Sequence, residues 1–215
     1  MENLQLVIFD MDGLIFDSER VFMEELKKVM ADFGYRLTKD IYLKTIGLNG
    51  SVLKETMLKQ YGADYPFELI SKKARENVNE IADSGKLPVK KGIYELLLHI
   101  SKRKIMCCVA SSSPKESVER YLKKYGLFDF FCGITGGKDV EKSKPEPDIF
   151  LAACRKLNVK PECALVIEDS QNGLIAAQRA GIRVVCIPDM IVPREDVLKK
   201  TYFVAESAFD VCGLI

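Results

Sequence analysis

The chain has 215 residues, 47% of them hydrophobic and 29% charged, enough to fill and cover one large domain or two modest ones. Its 32 basic and 31 acidic residues leave a formal net charge of +1, which gives no electrostatic reason to expect nucleic acid or a membrane surface as partner. No apolar run approaches the roughly 18 residues of a membrane span. Residues 4–9 read as the first strand, and its apolar run Leu6–Phe9 reads as buried on both faces. It ends abruptly in Asp10-Met11-Asp12-Gly13. Positions i and i+2 of a strand point the same way, which sets the two carboxylates side by side at its exit. Like charges that close need a cation, a shared proton or a cationic side chain, and a hard divalent cation such as Mg²⁺ suits oxygen ligands. Alone, the stretch could also be a solvated acidic turn.

From Ser18 to about Ser84 the pattern is helical throughout. Ser18 is placed to cap a helix with the apolar stripe Phe22, Leu26, Val29, Met30 and Phe33, and Gly34 follows its end. Thr38 caps a second helix that ends near Gly47. Ser51 starts a third, stopped by Gly62, and Pro66 opens a fourth through Phe67, Ile70, Ala74, Val78 and Ile81. Four helices in a row form a separate module over 17–85, leaving 1–16 and 86–215 as a discontinuous second domain. After Pro88 helix and strand alternate. A helix near 92–103 leads to a strand over 105–110, which ends in Ser111-Ser112-Ser113-Pro114. Ser113 and Glu116 have capping-box spacing, with Pro114 at the first helical position. A shorter strand near 131–135, a helix opened by Pro147, the strand Ala164–Ile167, a helix to Gly181, a strand over 183–187, a last strand near 202–205 and a short helix complete the chain. The fold class is α/β: a Rossmann-like three-layer core with a central parallel sheet, plus a small all-helical domain inserted after the first strand.

In open sheets of this kind the ligand site lies beyond the carboxyl ends of the strands. Those ends carry Asp10, Asp12, Ser111, Glu168 and Asp169. Ser111 and the backbone N–H groups that follow form an anion-binding position at a helix start. Pro145 biases Lys144 towards an extended backbone, from which it can reach outwards. Taken singly, Ser111 is an ordinary turn residue, Lys144 a solvated lysine and Glu168-Asp169 a helix-start signal. Together, a divalent cation, an anion cradle, a lysine and a spare carboxylate are the parts needed to transfer a phosphoryl group. The single histidine, His99, sits in the helical pattern Ile93, Leu96, Leu97 and Ile100, so histidine-based nucleophile activation and metal ligation are disfavoured. The seven cysteines are odd in number and lack a C-x-x-C pair, which implies a reduced protein without zinc site or disulfide framework. The first residues have neither the basic region nor the cleavage site of a signal peptide. Cytoplasmic location is expected.

The set D-x-D-G at 10–13, Ser111, K-P at 144–145 and E-D-S-x-x-G at 168–173 resembles the haloacid dehalogenase-like superfamily, in the branch holding β-phosphoglucomutase and small-metabolite phosphatases. The likeness covers essentially the whole chain, with the helical module as its cap domain. It implies that Asp10 is the nucleophile and forms an aspartyl phosphate, and that Asp12 is the acid/base. It implies that Ser111, Lys144 and the backbone of Met11 and Ser112 help hold the phosphoryl group. It implies Mg²⁺ at Asp10, the Asp12 carbonyl and Asp169, with Glu168 acting through water. A cap histidine and a cap arginine expected of the mutase have no counterpart: Phe22 stands at the first position, and Gly47-Leu48-Asn49-Gly50 contains no arginine. Hydrolysis of a small phosphomonoester, such as a sugar phosphate or phosphoglycolate, is therefore expected. Mutase activity is the alternative, and non-catalytic binding of a phosphometabolite the remote one. Phe16, Asn49, Lys73 and Arg75 are the candidate substrate contacts near or in the cap, while Phe22 is assigned to the cap's own core. No partner beyond a small phosphorylated metabolite is expected, and the chain is read as a monomer with at most weak dimerisation.

Overall fold

A computed structural model describes residues 3–48 and 50–215. Two compact units divide the chain, one running to Asp17 and resuming over Pro88–Ile215, the other spanning Ser18–Leu87. The breaks fall one and two residues later than the sequence suggested, because Asp17 N–H donates to Pro88 O at 2.9 Å and ties both crossing strands into the first unit. Among the described residues no helix is long and apolar enough to cross a membrane.

The first unit holds six parallel strands: β1 (Leu6–Phe9), β2 (Met106–Ala110), β3 (Gly133–Thr135), β4 (Ala164–Glu168), β5 (Arg183–Cys186) and β6 (Phe203–Val204). Their order across the sheet is β3-β2-β1-β4-β5-β6. Leu6 is in register with Met106 on one side and Ala164 on the other, so β1 is a central strand. Every residue of β1 and β4 is buried, which is why Leu6–Phe9 and Ala164–Ile167 read as unbroken apolar runs and not as alternation. Leu6, Ile8, Cys108, Ala110, Val166 and Val184 form one core with Ile149, Phe150 and Ala153 of α7 (Asp148–Lys156) and Leu174 and Ala177 of α8 (Gln171–Arg179). Alternate residues such as Val7, Phe9 and Val109 are fully buried too and point to the opposite face. There α5 (Ile93–Lys102) packs against β2 and against α10 (Ala208–Cys212). The remaining helices here are α6 (Lys115–Lys124) and α9 (Glu195–Leu198), the latter a single turn, packed on α8, without the length to leave a periodic signature. His99 belongs to the structural part of α5, where its Nε2 lies 2.7 Å from Ile215 O.

The second unit is all helical: α1 (Ser18–Asp32), α2 (Lys39–Leu43), α3 (Gly50–Tyr61) and α4 (Phe67–Asp83). α1 packs on α4, with Leu26, Val29, Met30, Ile70 and Ala74 buried. Glu25 is buried with them, its carboxylate accepting from Lys28 at 2.6 Å and from Asn77 of α4 at 3.1 Å. Thr38 does cap α2, accepting from Ile41 N–H at 3.3 Å. α2 stops at Leu43, short of Gly47, because the Thr45 hydroxyl takes the Tyr42 carbonyl at 2.6 Å and closes the turn. Phe22 lies against Tyr42, ring centroids 6.3 Å apart, which places it in this unit's own packing.

Candidate active site

The sheet order reverses between β1 and β4: the chain leaves β1 towards β2 and β3, then returns to β4, β5 and β6 on the other side. Two crossovers that part in opposite directions open a crevice at the carboxyl ends of the central strands. Asp10 follows β1, Ser111 follows β2, and Glu168 ends β4 with Asp169 behind it. All four are buried. Strand pairing sets their positions, since Asp10 N–H donates to Ile167 O at 3.1 Å and Ser111 N–H to Thr135 O at 3.1 Å.

Lys144 lies in the loop between β3 and α7, next to a cis Lys144–Pro145 peptide. Its side chain is 6% exposed and runs inwards, contrary to the outward reach expected from the sequence. The ammonium donates to Asp10 Oδ1, to Glu168 Oε1 at 2.7 Å and to Ala110 O at 3.2 Å, and it lies 4.9 Å from the centre of the Phe150 ring. Two carboxylates and a carbonyl outbid water for a cation that proline alone could not have aimed.

Oxygens of Asp10, Glu168 and Asp169 lie within 4.8 Å of one another. Burial above all, with Lys144 pulling down and the Glu168 and Asp12 charges pushing up, leaves the Asp10 carboxyl raised to about 7. Burial, then Glu168, Asp10 and Asp189, hold Asp169 well above the ordinary carboxyl range. Burial works against the Lys144 charge, yet Asp10 and Glu168 hold that group above its usual value. Three carboxylates thus answer to one ammonium, and a hard dication with oxygen ligands fits the deficit. Glu168 is the least available of the three. Its Oε2 accepts from Ser170 N–H at 2.8 Å and from the Ser170 hydroxyl at 2.9 Å, while Oε1 is held by Lys144. Two glycines make room for these carboxylates. A Cβ at Gly173 would collide with the Glu168 carboxylate, and one at Gly13, where φ is +82°, would collide with Asp169 Oδ2.

Asp12 is half-buried, and its charge acts on Asp10. Its Oδ2 accepts from the Ser113 hydroxyl at 2.8 Å and from Ser111 at 3.4 Å. The capping box expected at 113–116 does not form: Pro114 is the N-cap of α6, without a side-chain cap bond, and the serine hydroxyl goes to the carboxylate instead. Phe16 is also corrected. It is fully buried, its ring edge-on to Tyr121 and Tyr125, and so presents no surface to a substrate. Lys73 and Arg75 are exposed on α4, with Lys73 3.9 Å from Asp32 and over the Phe33 ring. Asn49 lies outside the described residues. Ser112 is exposed, and its carbonyl packs so closely on Gly137 that a Cβ there would strike it.

Sequence reasoning passed over Asp189, three residues beyond β5. Its side chain is 3% exposed and accepts from Lys90 at 2.5 Å, and its Oδ2 would lie 3.4 Å from a Cβ on Gly13, the same point that Asp169 faces. The strand-end rule that located Glu168 and Asp169 would have located Asp189 as well.

A family model, that of the haloacid dehalogenase-like hydrolases, matches residues 7–187. The chain belongs to the haloacid dehalogenase-like hydrolases. It is 32% identical to a Drosophila melanogaster protein named "Probable pseudouridine-5'-phosphatase", over 94% of this chain and 89% of that one. It is 29% identical to the phosphorylated carbohydrates phosphatase of Thermotoga maritima, over 83% and 82% of the two chains. The crystal structure of CbbY from Rhodobacter sphaeroides in complex with phosphate superposes with a TM-score of 0.79 at 24% identity, covering 97% and 96%, a likeness of fold. In this haloacid dehalogenase-like hydrolase the family match runs from β1 to β5 and takes in every strand end that carries a site residue except that of Asp189, two residues beyond it.

Proposed function

We propose that this hydrolase is a Mg²⁺-dependent phosphatase acting on a small phosphorylated metabolite, a sugar phosphate or a phosphoglycolate-like compound. The observation that carries the reading is Asp10: a carboxylate at the switch point of the sheet, bonded to Lys144 and clustered with Asp169. The phosphatase names of its relatives point the same way. Asp10 attacks the phosphorus, and the bond from phosphorus to the leaving oxygen breaks. Asp12 gives that oxygen its proton. Asp12 then takes a proton from a water that attacks the aspartyl phosphate, releasing inorganic phosphate and restoring Asp10. Ser111 and the N–H groups of Met11 and Ser112 hold the phosphoryl oxygens, and Lys144 balances their charge against Asp10. Mg²⁺, held by Asp10, Asp169 and the Asp12 carbonyl, would supply further charge neutralisation at those oxygens.

A panel of phosphorylated metabolites, assayed with Mg²⁺ for inorganic phosphate, tests the reading. Phosphate release should exceed isomer formation on every sugar phosphate. Efficient conversion of β-glucose 1-phosphate to glucose 6-phosphate would replace it with the mutase, and no turnover on any member would replace it with a binding protein.

The cation has a signature independent of turnover. Asp10 holds its proton to about 7 when folded, against 3.8 ordinarily, so the metal-free native state binds more protons than the unfolded chain between those values. Stability of the metal-free protein therefore falls as pH rises through that window. Mg²⁺ must displace the same proton, so its stabilising effect grows as pH rises. The Mg²⁺-induced rise in Tm should be clearly larger at pH about 8 than at pH about 5.5. An equal rise at both, or none, would remove Asp10 from the cation site.

A further inference from the structure

Ser113 has no part in the chemistry just given, yet it is fixed on three sides. Its N–H donates to Ser111 Oγ at 3.0 Å, its carbonyl accepts from Gly137 N–H at 3.1 Å, and its hydroxyl donates to Asp12 Oδ2 at 2.8 Å. The turn at 136–137 is pressed onto this loop, since a Cβ on Gly136 would meet Lys115 N at 2.7 Å and one on Gly137 would strike Ser112 O. A loop held that firmly presents its hydroxyl in one direction. The competing donor, Ser111, reaches the same oxygen only at 3.4 Å, the outer edge of a hydrogen bond.

We propose that Ser113 is a positioning residue for Asp12, fixing the plane of the acid/base carboxylate so that it faces the leaving oxygen. The role rests on the phosphatase reading above. A short bond to one carboxylate oxygen removes rotation about the terminal torsion, which is otherwise broad, and so settles where the second oxygen points. Proton delivery is sensitive to that direction, and a displacement of about 1 Å can cost on the order of 100-fold.

The role has a consequence that mere loop support does not. A poor alkoxide leaving group needs the Asp12 proton, whereas p-nitrophenolate leaves without one. The value of kcat/KM reports steps only through phosphoryl transfer, before Asp12 is required as base. In Ser113→Ala, kcat/KM on the best alkyl phosphate of the panel should fall roughly 10- to 100-fold, while kcat/KM on p-nitrophenyl phosphate stays within about 3-fold. Ser113→Thr, which keeps the hydroxyl, should recover most of the loss, and the thermal midpoints of both variants should stay within about 3 °C of wild type. Equal losses on the two substrates, or no loss on either, would overturn the positioning role and leave the phosphatase reading standing. A wild-type protein that turns over neither substrate would overturn both.

Discussion

Asp10→Asn should abolish phosphate release, lowering kcat on p-nitrophenyl phosphate by about 10⁴- to 10⁶-fold, the scale seen when a covalent nucleophile is removed. The loss should come without unfolding. In the metal-free protein the Asp10 carboxyl is pushed up to about 7, so near pH 7 the site holds the neutral form about as readily as the charged one. Asparagine is nearly isosteric, and it takes one negative charge from a cluster where three carboxylates share one ammonium. The variant should therefore melt at or above the wild-type temperature without Mg²⁺, and respond to added Mg²⁺ less than wild type does. Activity within 100-fold of wild type would place the nucleophile elsewhere.

Lys144→Met should be the most destabilising single change in the site. It leaves Asp10 and Glu168 buried with their shared ammonium gone. Breaking a buried ion pair from one side costs roughly 3–5 kcal/mol, because the charge left behind is neither solvated nor paired. In a chain of this size that lowers Tm by roughly 6–20 °C. Two further results follow from the same cause. Glu168→Gln added to Lys144→Met should recover part of the loss, since it removes one of the stranded charges. Mg²⁺ should stabilise Lys144→Met by more degrees than wild type, the dication then being the main counter-charge. Turnover should fall at least about 10²-fold, as for a lost charge donor at a transferring group. Calorimetry at neutral pH measures all of these shifts; a Lys144→Met protein melting within about 2 °C of wild type would show that the buried ammonium carries no such burden.

Much of the molecule is local in origin and could be read along the chain. Apolar runs such as Leu6–Phe9 and Ala164–Ile167 are strands because their neighbours bury both faces, and the carboxylates that end them must then stand where the sheet meets water. Helix periodicity and the Gly and Pro residues that bound it set out the helical unit, because each such signal acts within a few residues of itself. The placement of Asp10, Ser111, Glu168 and Asp169 together needed only the parallel order of the strands.

Other features were decided by residues far away in sequence. Ser113 has the spacing of a helix cap, but Pro114 takes the cap position and the Ser113 hydroxyl donates to Asp12, 101 positions distant. Proline at 145 biases the backbone of Lys144 and says nothing about its side chain, which Asp10 draws inwards across 134 positions. Phe16 sits in a stretch that resembles a linker, and its burial is set by Tyr121 and Tyr125. Sequence patterning by itself determined which residues end the strands and hence which groups share a site. Only the tertiary structure decided which donor each carboxylate keeps, because a buried charge takes the best partner that packing brings within about 3 Å, whatever the separation along the chain.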